Sequence, residues 1–76
     1  MPDPCEFLRN ERDGLATTIT TLRNEINTRR GPAGEPIPAT EIPALIAQEQ
    51  RTETELGHVS YLLHTCEAWA RDLGSN

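Results

Sequence analysis

TEIPALIAQEQRTETELGHVSYLLHTCEAWARDLG, residues 40–74, is the stretch whose reading decides the fold. Taken in alternating steps of three and four, it yields Ile42, Leu45, Glu49, Thr52, Leu56, Val59, Leu63, Cys66, Ala70 and Leu73. Apolar residues dominate that stripe. A three–four repeat is the a/d seam of a heptad, and such a helix lies along another helix. The expected helix spans 41–73. Thr40 is its expected N-cap, Pro43 falls in the first turn where a missing N–H is harmless, and Gly74 follows as the stop.

A matching seam precedes it: Cys5, Leu8, Arg12, Leu15, Ile19, Leu22 and Ile26. Asp3 reads as an N-cap, Pro4 as the first helical residue, and Glu6 as the third residue of a capping box. The run Thr17-Thr18-Ile19-Thr20-Thr21 is β-branched and lowers helix propensity. The heptad nevertheless passes straight through it, so a helix is expected over 4–30, with Gly31 closing it beside Arg29 and Arg30. Between the helices, 31–39 is rich in Pro and Gly. Pro32, Pro36 and Pro38 forbid a helix and favour stiff, extended backbone. Such a segment can also be a ligand for aromatic-lined grooves, but a semi-rigid turn between helices is the plainer expectation.

Two helices on a short connection pack antiparallel. A loop midpoint near Glu35 sets the register, so that facing residues have numbers summing to 71. The layers are then Cys5 with Cys66, Leu8 with Leu63, Arg12 with Val59, Leu15 with Leu56, Ile19 with Thr52, Leu22 with Glu49, and Ile26 with Leu45. Each pairs an a position with a d position. Cys5 and Cys66 meet at the open end. A disulfide there would contribute about 4 kcal/mol through chain entropy. In a reducing cytosol the same residues would be two buried thiols.

The two edges of this hairpin differ. On one, Arg9 faces Glu67 and Arg23 faces Glu53, which are opposite in sign. On the other, Glu11 faces Glu55 and Glu25 faces Glu41, which repel. That second edge also carries Leu62 and Trp69, with Phe7 close by. Together with Ile46 and Tyr61 these are large apolar groups that a lone hairpin leaves in water, and such surface marks a binding face. Two hairpins packed about a two-fold axis would cover it. The expected fold class is all-α: an antiparallel two-helix coiled-coil hairpin, dimerising into a four-helix bundle.

Bulk properties bound the function. The chain has 76 residues, a net charge of -5 and no lysine. One domain fits in that length, with a small core. An acidic chain lacks the basic footprint that nucleic acid requires. No apolar run approaches the ~20 residues of a membrane span. Residues 1–6 show no basic n-region followed by an apolar segment, so the expected location is the cytoplasm, or outside the cell if Cys5 and Cys66 are bridged.

Catalytic signatures are sparse. There is no phosphate-binding glycine loop and no Ser–His–acid pattern. His64 and Cys66 lack the further ligands that a zinc site needs. Glu55-Leu56-Gly57-His58 is a Glu-x-x-His, which puts carboxylate and imidazole on one helical face. Glu11 arrives at the same edge. In this motif and in its hairpin plan the chain resembles the two-helix encapsulated ferritin-like proteins. That resemblance implies an Fe, Mn or Zn site built from Glu11, Glu55 and His58 and completed across a dimer.

The expected function is a small non-enzymatic interaction module without a cofactor. It acts as a homodimer or with another helical protein, through Phe7, Ile46, Tyr61, Leu62 and Trp69. The metal-binding bundle is the alternative. Arg12 and Glu49, the polar seam residues, are expected to specify register or partner, with Arg12 reaching out towards Glu11 or Glu55.

Overall fold

The computed structural model describes residues 3–74. Helix α1 spans Glu6–Thr28 and helix α2 spans Ile42–Gly74, which a 3-10 turn, Ala39–Glu41, precedes. The start of α1 is bonded to the end of α2 through Cys5 and Cys66, and Arg23 near the end of α1 pairs with Glu49 and Glu53 early in α2. The helices are therefore antiparallel, and they form a rod of 57 × 21 × 13 Å. Among the described residues, no helix is long and apolar enough to cross a membrane. The expected fraying of Ser75 and Asn76 lies outside the described residues.

The threonine run stays helical. Thr17, Thr18 and Thr20 each donate a hydroxyl hydrogen bond to the carbonyl four residues back, on Asp13, Gly14 and Ala16. The polar β-branched side chains are thus satisfied within the helix instead of competing with it.

The helix ends differ from the sequence expectation. α1 begins at Glu6, not Pro4. Asp3 Oδ1 accepts from the Cys5 N–H at 2.9 Å, and the Asp3 carbonyl accepts from the Glu6 N–H at 3.2 Å. Asp3 therefore closes a turn ahead of the helix, the local bonding that aspartate favours. α1 ends at Thr28, not Arg30. Arg29 takes the left-handed conformation at φ 56° and its N–H bonds the Glu25 carbonyl at 2.7 Å.

That early stop lets the connection fold on itself. Ile37 N–H bonds the Arg29 carbonyl at 2.9 Å and Gly31 N–H bonds the Glu35 carbonyl at 2.8 Å. Gly34 makes the tight reversal at φ 81°, and a Cβ on Gly31 would run into the Glu35 carboxylate. The connection is the turn expected between the helices, and these bonds across it are what stiffen it. Thr40 does not cap α2; it lies inside the 3-10 turn, which the Glu41 N–H closes onto the Pro38 carbonyl at 2.9 Å.

The core follows the seam. At the open end Cys5, Leu8, Val59 and Leu63 form a buried cluster, with Leu15, Cys66 and Ala70 packed against it. Farther along, Ile19, Leu22 and Thr52 are buried. The Thr52 hydroxyl donates to the Gln48 carbonyl at 2.8 Å, which removes the cost of burying it. Arg12 leaves the seam, but towards Asp13 at 3.2 Å and not towards Glu11 or Glu55. Its neighbour in sequence offers a carboxylate at less cost in side-chain ordering. Glu49 stays in the seam, largely covered, and receives Arg23 Nε at 3.1 Å.

Gly14 and Gly57 sit at one level of the rod, and a Cβ on either would meet nothing within 4 Å. No close approach within the hairpin requires them. Gly14→Ala and Gly57→Ala should each stabilise the isolated protein by about 1 kcal/mol, through helix propensity. Chemical denaturation of the two variants checks this; a loss at either position would show that the added methyl meets something.

Candidate functional site

The open end of the rod carries a groove between the helices. On α2, His58, Leu62, Thr65 and Trp69 recur at helical spacing along one strip. On α1, Phe7 and Glu11 are one turn apart and form the opposite wall. Leu8, Val59 and Cys66, which belong to the core or pack on it, make the floor. The groove has a volume of about 570 Å³. Phe7 is 65% exposed, Leu62 39% and Trp69 61%, although all three line the same concavity.

The bridge positions both walls. Cys5 and Cys66 are joined with their Cα atoms 6.0 Å apart, within the ordinary range for a disulfide. Phe7 follows Cys5 by two residues and Trp69 follows Cys66 by three, so one covalent link ties the two aromatic groups to one place. The opposite edge is held by charge. Arg9 pairs with Asp3, and its Nε lies 3.4 Å from Glu67 Oε2. The Arg9 guanidinium, helped by the Cys5 N–H, holds the Asp3 carboxyl below its ordinary value, and Asp3 in turn raises Arg9. The expected pairs Arg9–Glu67 and Arg23–Glu53 are both present.

The structure does not gather all five apolar residues expected at the interface. Phe7, Leu62 and Trp69 share the groove. Ile46 and Tyr61 are exposed but do not line it. Tyr61 follows the outward face of α2, and Ile46 stands on the other edge towards the loop. Leu73 was expected in the seam, yet it is exposed. The reason is legible in the layer arithmetic: α2 continues past Cys66 while α1 starts at Glu6, so no layer stands opposite Leu73.

Of the candidate metal ligands, Glu11 and His58 line the groove, whereas Glu55 is exposed outside it. Among the described residues, no group of three or more His, Cys, Asp or Glu could hold a metal ion. The carboxylate–imidazole site read from the sequence would need donors from a second copy. Cys66 is bonded to Cys5, which removes it as a zinc ligand or nucleophile.

No protein-family model, curated protein or solved structure matches the chain.

Proposed function

We propose that this chain is a non-enzymatic docking module: a stapled helical hairpin whose open-end groove receives a helix. The helix comes from another protein or from a second hairpin completing a four-helix bundle. The observation that carries the reading is the groove itself. Three large apolar side chains, Phe7, Leu62 and Trp69, stand exposed around one concavity floored by Leu8 and Val59. Apolar surface gathered this way has the composition of a binding hot spot, aromatic at its centre. Both cysteines are consumed in the bridge, which supports a structural role for the residues with the strongest nucleophilic chemistry. The bridge also favours an oxidising compartment over the cytoplasm that the sequence suggested.

A photo-crosslinking amino acid at Leu62, compared with one at Ala47 on the outer face of α2, tests the reading in the cells that make the protein. Leu62 should give a discrete adduct and Ala47 none. Trp69→Ala should lower the adduct yield severalfold without changing helicity. Equal labelling at the two positions, or a yield insensitive to Trp69→Ala, would remove the groove as a docking site.

A further inference from the structure

We infer that the occupant of the groove is a basic amphipathic helix of another protein and not a second copy of this chain. This rests on the docking reading above and names its partner class. The apolar part of the groove runs along α2 from His58 to Trp69, roughly 16 Å of helix and so about three turns. Two helical ridges bound it, and a third helix laid between them completes a three-helix bundle by ordinary ridge packing.

Charge selects the occupant. Glu11 lines the groove and Glu55 stands one turn before His58 on the same side of α2; both are exposed and neither has an ion-pair partner among the described residues. The chain's cations are mostly committed elsewhere. Arg9 and Arg23 are paired on the opposite edge, Arg12 is paired with Asp13, and Arg30 bonds the Gly34 carbonyl in the loop. Arg51 stands with Ala44, Ala47, Gln50 and Thr54 on the outer face of α2, and beyond Trp69 the adjacent Arg71 and Asp72 add no net charge. The groove is thus apolar at the bridged end, and at the waist, where His58 lines it, it is bordered by two carboxylates, Glu11 in its wall and Glu55 just outside it.

A second copy fits that pattern poorly in either orientation. A two-fold that stacks waist on waist sets Glu11 and Glu55 against the same carboxylates. A two-fold that reverses the copies sets those carboxylates against Phe7 and Trp69 and strips them of water. Each copy also carries a net charge of -5. A helix with apolar residues at i, i+4 and i+7 and with Lys or Arg at one end matches both halves of the groove.

The test uses the oxidised full-length protein and two synthetic helices of about fourteen residues, four turns. One alternates leucine and lysine in a helical pattern, and the other has glutamate in place of lysine. Trp69 is the single tryptophan, so its emission reports the groove directly. The expected result is a blue shift on adding the leucine–lysine peptide, no shift with the leucine–glutamate peptide, and an affinity that falls as salt rises. Glu11→Gln with Glu55→Gln should weaken binding about tenfold, as two lost charge contacts imply. Glu25→Gln with Glu41→Gln, far along the rod, removes the same two charges and should leave binding unchanged, so it controls for net charge.

Equal binding of the two peptides, or no effect of the Glu11/Glu55 pair, would overturn the basic-partner inference. A concentration-dependent dimer by sedimentation, with Trp69 emission already blue-shifted in the free protein, would also overturn it and would leave the docking reading standing with a second copy as occupant. A monomer whose Trp69 emission ignores both peptides would overturn the inference, while crosslinking at Leu62 decides separately whether anything docks there.

Discussion

Replacing Cys5 and Cys66 together by alanine is expected to destabilise the hairpin by about 4 kcal/mol. The bridge joins residues 61 apart in sequence, so the unbridged unfolded chain gains the freedom of nearly its whole length. A chain of this size has a total stability on the order of 4–11 kcal/mol, so between roughly a third and all of it is at stake. Alanine keeps the sites small and apolar, which separates the staple from the packing around it. The loss should appear first at the open end, because Leu8, Val59 and Leu63 pack around the bridge while the other end is closed by the cross-bonded turn. Denaturant unfolding followed by circular dichroism, for the wild type with and without reductant and for the double variant, measures it. Coincident midpoints would mean that the seam alone holds the hairpin together and that the staple adds nothing. The groove would respond as well: without the bridge Phe7 and Trp69 lose their common anchor, and docking should weaken along with stability.

Leu63→Ala is expected to cost about 3 kcal/mol, whereas Leu62→Ala should cost about 1 kcal/mol or less. The two residues are chemically identical neighbours on one helix. Leu63 is 2% exposed against Cys5, Leu8 and Val59, and its truncation leaves a cavity at the centre of the cluster. Leu62 is 39% exposed in the groove wall, and its truncation removes little that the isolated protein buries. Docking should invert the ranking of effects: Leu62→Ala weakens partner binding, and Leu63→Ala does so only through loss of fold. Equal destabilisation by the two substitutions in the isolated protein would mean that Leu62 is already covered, or that the register is displaced by one residue.

Much of this architecture is legible in the seam residues. The three–four repeat places Leu8, Ile19, Leu22, Val59 and Leu63 on inward faces, and all five are buried. The threonine run shows why periodicity outweighs local propensity here. A strand former on a solvated helix face costs a few tenths of a kcal/mol, and back-bonding of the hydroxyls reduces the conflict further. The helix ends were less legible. Thr28 and Arg29 terminate α1 because the loop carbonyls and amides bond one another across the turn. Those bonds join Arg29 to Ile37 and Gly31 to Glu35, and no local propensity encodes them. The direction of Arg12 was missed for a similar reason: a flexible guanidinium has several carboxylates in reach, and only the packed geometry selects Asp13.

By itself the sequence determined that this chain is a helical hairpin and set its register, because a heptad stripe and a short connection leave one way to bury the apolar residues. That register alone put Cys5 opposite Cys66 and Arg9 opposite Glu67. Only the tertiary structure decided that the two cysteines are joined, since a bond between residues 61 apart depends on how closely two helices approach and not on any local pattern. It also decided that Ile46 and Tyr61 stay outside the concavity that Phe7, Leu62 and Trp69 line. Phe7, Leu62 and Trp69 converge because the bridge draws the two helix ends into one groove, while Ile46 and Tyr61 stand apart on other faces. The register already put Leu62 and Trp69 on one edge with Phe7 close by; the concavity they line is a property of packed surfaces, which no spacing along a single helix contains.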